Sequence, residues 1–124
     1  MKLSESKKLR GQWGEQQAAA YLKRRGYRIV GQNYSCRFGE IDVIAADRRY
    51  IVFVEVKLRG SDRFAQAREY VGAAKQERIR TAASLWLAEN ETGLQPRFDV
   101  IEIYGDETMA PKKLDIRHLE NAFE

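Results

Sequence analysis

The sequence predicts an α/β domain with a mixed central sheet flanked by helices. Two segments carry apolar residues at helical spacing, and four further segments read as strands. The fourth strand follows the second helix at a distance that suits a parallel crossover, expected to be right-handed. With 124 residues the chain supports one core. A single domain is therefore expected over residues 1–124, its core at about 4–104 and a C-terminal extension at 105–124.

The first helix is expected over residues 4–25, closed by Gly26. At 100° per residue, Gly11, Glu15, Ala18 and Leu22 share a narrow sector of it, so Glu15 lies on the face that meets the core. Three strand-like runs follow: Tyr27 to about Cys36, Glu40 to Ala45, and Tyr50 to Lys57. Gly31 and Asn33 predict an irregular or bulged first strand, and Asp47-Arg48-Arg49 a short hairpin between the second and third. The second helix is expected over residues 72–90, with Ile79, Ala82, Ala83, Trp86 and Leu87 on one side. Arg97 to Tyr104 forms the fourth strand, and the extension contains Leu114-Asp115-Ile116.

Charge is unevenly distributed. Residues 1–80 hold 18 Lys and Arg against 9 Asp and Glu, whereas residues 81–124 hold 4 against 9. The basic clusters Lys7-Lys8-x-Arg10, Lys23-Arg24-Arg25 and Arg48-Arg49 are candidates for contact with phosphate, or plain solvated surface. One cysteine, Cys36, leaves no intrachain disulfide and fits a reducing cytosol. One histidine, His118, lies in the tail, so sites needing several imidazoles or thiolates are excluded. Any metal must be held mainly by carboxylates, which favours Mg²⁺ or Mn²⁺. With no long apolar run and no signal-peptide core behind Met1, a cytoplasmic protein that does not enter the membrane is expected.

Strand alternation puts Phe53, Glu55 and Lys57 on one face and Val52, Val54 and Val56 on the other. It likewise puts Glu40, Asp42 and Ile44 opposite Ile41 and Val43. A hairpin turning about Arg48-Arg49 pairs residues whose numbers sum to about 97, so Asp42 faces Glu55. Like charges facing across a sheet repel unless a cation lies between them. With Glu15 brought over the pair by the first helix, a carboxylate metal site results, with Lys57 placed to orient a water or steady a phosphate. The plain alternative is a surface Glu-x-Lys pair and a solvated Asp42.

Gly39-Glu40-Ile41-Asp42-Val43-Ile44-Ala45 followed by Phe53-Val54-Glu55-Val56-Lys57-Leu58-Arg59 resembles the YraN family of small bacterial proteins. Gly11-x-x-Gly14-Glu15 and Arg97-Phe98-Asp99-Val100 match the same pattern, so the resemblance spans nearly the whole chain. That family is similar to restriction-endonuclease-like nucleases, including archaeal Holliday junction resolvases and RecB-type nuclease domains. The resemblance implies a restriction-endonuclease-like core of order α-β-β-β-α-β. It also implies hydrolysis of nucleic-acid phosphodiesters, with branched DNA among the substrates and a homodimer suited to symmetric cutting. Asp42, Glu55 and Lys57 would be catalytic, and Glu15, Asp42, Glu55 and the Val56 carbonyl would hold Mg²⁺ or Mn²⁺. Ile41 stands where the signature has proline. The polar position of the second helix falls on Lys75 or Gln76, which helical spacing does not separate.

Lys8, Arg10, Arg59 and Arg63 are the expected nucleic-acid contacts, the last two in a loop after the third strand. Trp13 either stacks on a base or packs under a loop, and Cys36 is expected to be an inert thiol. Two other functions fit the same sequence: a nucleic-acid-binding module that does not cut, and an adaptor whose acidic end meets a basic partner.

Overall fold

The computed structural model describes residues 3–60 and 71–124, with side chains from Lys8 onward. Helix α1 spans Leu3–Arg24 and ends as expected at Gly26, which adopts φ +92°. The Tyr27 N–H donates to the Leu22 carbonyl and the Gly26 N–H to the Lys23 carbonyl, closing the helix end with a left-handed glycine. Strands β1 (Arg28–Cys36), β2 (Gly39–Ala46) and β3 (Tyr50–Gly60) follow. Helix α2 (Ala73–Glu89) leads to β4 (Gln95–Tyr104), and a 3₁₀ turn at Pro111–Lys113 leads to β5 (Asp115–Phe123).

The five strands form one mixed sheet in the order β1-β2-β3-β4-β5. Only β3 and β4 run parallel, joined through α2. The other neighbours are antiparallel. The β2–β3 turn is held by Asp47, whose Oδ1 accepts from the Arg49 N–H at 2.8 Å and the Tyr50 N–H at 2.7 Å. As expected, β1 is irregular: its register shifts between Ile29 and Gly31, and Asn33 has φ +54°.

Each helix covers one sheet face. Ala18 and Leu22 of α1 pack on Val43, Ala45, Val52, Val54, Ile101 and Ile103. Ile79, Ala82 and Ala83 of α2 pack on Ile44, Ala46, Ile51 and Phe53. Central strand β3 is thus apolar on both sides from Ile51 to Val54, and Glu55 is the first charged residue along it. At Gly14 helix α1 packs against the end of that strand: a Cβ there would fall 2.6 Å from a Leu58 methyl, so a side chain would require Leu58 to shift.

Three expectations about these elements need correction. The extension contributes a fifth, edge strand whose Val100↔Leu119 and Ile103↔Ile116 pairs cover β4. Strand β3 does not yield to a loop at residue 58; it runs to Gly60 because β4 pairs with it as far as Tyr104. Arg59 is consequently a strand residue. Finally, Ile41 and Val43 do not share a face, since Ile41 packs with the α2 cluster and Val43 with the α1 cluster. The change of side falls at Asp42, where β2–β3 pairing ends and Asn33 of β1 departs from extended geometry. Among the described residues, no helix is long and apolar enough to cross a membrane.

A buried polar network fastens β5. Arg97 donates to Asp99 through Nε at 2.9 Å and Nη2 at 2.8 Å, and Nη2 also reaches the Tyr27 hydroxyl at 2.7 Å. From β5, His118 Nε2 lies 2.6 Å from Asp99 Oδ2, and the Asn121 N–H donates to Oδ1 at 3.0 Å. Burial pushes the Asp99 carboxyl up, but its bonds to His118, Arg97 and Asn121 outweigh that and hold it below its ordinary value. His118, placed by the sequence only in the tail, joins two strands.

Candidate active site

The β2–β3 ladder pairs Val43 with Val54 and Ile44 with Phe53, which is the register expected from the turn. The next step brings Asp42 to Glu55, and there the strands stop exchanging backbone bonds. Instead, Asp42 Oδ2 accepts the Val56 N–H at 2.8 Å. That bond fixes one carboxylate oxygen against the strand that carries Glu55.

Glu55 is buried, with 6% of its side chain exposed. Lys75, projecting from the first turn of α2, sets its Nζ 2.5 Å from Glu55 Oε1. Lys57 Nζ lies 3.8 Å from the same oxygen, on the face that alternation predicts. Burial and the adjacent Glu55 push the Asp42 carboxyl up to about 7, Glu15 adding to the rise. The Val56 N–H and Lys75 oppose it.

Glu15 reaches the same region from α1. Burial raises its carboxyl above the ordinary value; the Asn33 and Asp42 side chains oppose this, while Glu40 and Glu55 add to it. Its Oε1 is buried and has no hydrogen-bond partner among the described residues. An unpaired buried carboxylate oxygen is costly, and a cation is the partner that suits it.

Two clefts open on these acids. One of about 250 Å³ lies beside α2 and is lined by Asp42, Glu55, Lys75, Arg78 and Glu40. The other, about 480 Å³, lies beside α1 and is lined by Lys8, Gln12, Glu15, Asn33 and Glu40. A larger hollow of about 670 Å³ beside Tyr50, Arg97 and Asn121 lies at the other end of β4, among residues already engaged in fastening β5.

The donors are hard oxygens, and partly buried Asp42 next to buried Glu55 fits a cation that takes one or two protein carboxylates. Among the described residues, no three Asp, Glu, His or Cys side chains stand close enough to enclose an ion. Asp42 and Glu55 therefore form the centre, and Glu15 stands beside it without completing a three-carboxylate cage. The Lys75 ammonium lies against Glu55 and offsets its charge.

Of the two helix residues that spacing left equivalent, Lys75 enters the site. Gln76 turns back to donate to the Val71 carbonyl at 2.8 Å. Lys8 lines the α1 cleft, and Arg10 lies on the exposed side of α1 with its guanidinium near Gly60. Arg59 is committed elsewhere, its Nε 3.0 Å from Glu102 Oε2 with both side chains largely buried. Arg63 lies outside the described residues. Trp13 packs against the α1 core, and the Cys36 thiol lies 3.5 Å from the Gly39 carbonyl within its hairpin. Sequence reasoning missed Glu40, which lines both clefts, and Arg78. Arg78 lies one turn after Lys75, so its signal was present, whereas the change of side at Asp42 removes strand alternation as a guide to Glu40.

Fold and site together define a small mixed-sheet α/β protein with a carboxylate pair, one buried and one partly so, and two lysines at the end of its central strand. The chain belongs to the uncharacterised protein family UPF0102, whose family model matches residues 14–103 and so includes Glu15, Asp42, Glu55, Lys57 and Lys75. A UPF0102 protein of Pelotomaculum thermopropionicum is 39% identical over 122 residues, covering 98% of this chain and all of the relative. One from Alkaliphilus oremlandii is 47% identical over 116 residues, covering 91% of this chain and 96% of the relative. One from Caldanaerobacter subterraneus subsp. tengcongensis is 43% identical, covering 95% and 97%.

Proposed function

We propose that this protein is a metal-dependent nuclease that hydrolyses phosphodiester bonds of nucleic acid, branched DNA included. The observation that carries the proposal is the pairing of partly buried Asp42 with buried Glu55, flanked by Lys57 and Lys75. The likeness of the motifs to restriction-endonuclease-like nucleases supports it. Asp42, Glu55 and the Val56 carbonyl would hold Mg²⁺ or Mn²⁺, and Glu15, whose Oε1 has no hydrogen-bond partner among the described residues, would add a further oxygen donor. When bound, such a cation supplies a more acidic water and offsets charge on the phosphate. Lys57, about a quarter exposed, is placed to orient the attacking water. Lys75, which pairs with Glu55 in the metal-free protein, would serve a phosphate oxygen as a second cation of the site.

Incubation of end-labelled single strands, duplex, flaps, four-way junctions and RNA in Mn²⁺ tests this, with Asp42→Ala alongside. Cutting that vanishes in the variant is expected. Cutting that persists unchanged in Asp42→Ala would remove the site from the reaction.

A second reading is a nucleic-acid-binding module that keeps the fold but does not cut. The direct Lys75–Glu55 ion pair favours it, because that contact neutralises the acid without metal. It predicts binding that falls steeply with salt and no metal-dependent product.

A further inference from the structure

The tip of the β1–β2 hairpin carries an aromatic ring that neither the core nor the proposed chemistry uses. Cys36 pairs with Gly39, so the connection is two residues, Arg37 and Phe38. Two-residue hairpins favour Asn, Asp and Gly, which tolerate positive φ. Asn33 and Asn121 are the only non-glycine residues of positive φ among the described residues, so turn geometry does not select the residue at position 38. The core does not select it either. Phe38 is 39% exposed and belongs to neither apolar cluster. The Arg37 guanidinium lies 4.8 Å from the centre of its ring.

The ring's position relates it to the site. Gly39, next in the chain, lines the α2 cleft with Asp42, Glu55, Lys75 and Arg78. A Cβ at Gly39 would sit 3.3 Å from the Arg78 Cβ, so the hairpin is pressed against α2 at this point. Phe38, in the turn four residues before Asp42, stands within about 13 Å of it at roughly 3.3 Å per residue. A nucleic-acid strand advances about 3.4 Å per stacked nucleotide, so the ring lies a few nucleotides from a phosphate in the cleft. Exposed aromatic faces interleaved with cations are what single-stranded nucleic acid binds. Here Arg37 is the cation at the ring, and Arg78 and Lys75 line the way to the acids.

We infer that Phe38, braced by Arg37, stacks on an unpaired base of the strand whose phosphate enters the cleft. The substrate class is thereby narrowed to single strands, flaps and junctions. In continuous duplex the bases stack on one another, and freeing one costs a few kcal/mol. The identity of the ligand as nucleic acid rests on the proposed function, but stacking is measurable without cleavage.

The test is equilibrium binding in Ca²⁺ of a fluorescein-labelled single strand, a matched blunt duplex and a flapped duplex, with wild type, Phe38→Ala and Phe38→Trp. Phe38→Ala should weaken single-strand and flap binding roughly ten-fold, leave duplex binding within about two-fold, and melt like wild type; Phe38→Trp should restore binding. A 2-aminopurine at the unpaired position should lose its protein-induced fluorescence change in Phe38→Ala. Unchanged single-strand and flap affinity in Phe38→Ala overturns the inference, as does an equal loss on all three ligands. So does a wild-type dimer that Phe38→Ala converts to monomer, which would make the ring a contact between copies. Stacking observed without cleavage in any metal leaves this inference standing and removes the catalytic reading. Cleavage without a Phe38 effect does the reverse.

Discussion

Asp42 is held in a condition that disfavours its own ionisation, and this has measurable consequences. Its carboxyl, raised to about 7 from an ordinary 3.8, stabilises the metal-free protein by remaining protonated. That contribution is complete below about pH 4 and lost as the pH rises through about 7. In EDTA, wild type should therefore lose more thermal stability between pH 5 and pH 8 than Asp42→Asn does. Parallel melting curves for the two would show that Asp42 is not strained. Lys57→Ala should slow Mn²⁺-dependent cleavage about 100-fold or more with little change in melting temperature, because its side chain is partly exposed. Lys75→Ala should impair cleavage, whereas Gln76→Ala should leave it near wild type and cost only about 1 kcal/mol for its bond to Val71. Equal effects on cleavage from Lys75→Ala and Gln76→Ala would remove the distinction drawn between them. Helical spacing left those neighbours equivalent, since consecutive residues lie only 100° apart and either can reach the rim of a face. The contact with Glu55 separates them.

At the scale of elements, the Asp42–Glu55 encounter was legible because it depends on turn position and strand parity, two local properties. Strand β5 was not. Its sequence alternates poorly, with Arg117, His118, Glu120 and Asn121 among its residues, and it is interrupted where Asn121 takes φ +51° and the register slips between Phe98 and Val100. An edge strand held by a buried ion pair carries little hydrophobic period to read. Asp99→Asn should accordingly destabilise the protein by about 3–5 kcal/mol, because it weakens the pairing of the buried Arg97 guanidinium. Because the Asp99 carboxyl is held low, its contribution is present above the ordinary carboxylate range and disappears as acid is added below it. A urea titration at pH 7 measures the loss; a change under 1 kcal/mol would mean that the network is incidental to β5. Arg59 shows the same limit from the other side, because parallel pairing with β4 extends β3 through a stretch that reads locally as loop.

For the whole molecule, two helices on opposite faces of one sheet bring Glu15, Asp42, Glu55 and Lys75 to the end of the central strand from four different elements. Composition could say only that a metal, if present, would be bound by oxygen. The acidic remainder includes β4 and β5, where Glu102 pairs with Arg59 of the basic N-terminal two-thirds, whereas the Asp99–Arg97 pair lies within the remainder and leaves its balance unchanged. One acid of the C-terminal excess is therefore met by internal pairing. The central claim is that the Asp42–Glu55 pair holds a hard divalent cation. It is tested most directly by titrating Mn²⁺ into the metal-free protein at pH 8 and following the free ion by electron paramagnetic resonance. The account predicts saturable binding by wild type that Asp42→Asn abolishes while remaining folded. Equal binding by both proteins, or none by wild type at millimolar Mn²⁺, would contradict it.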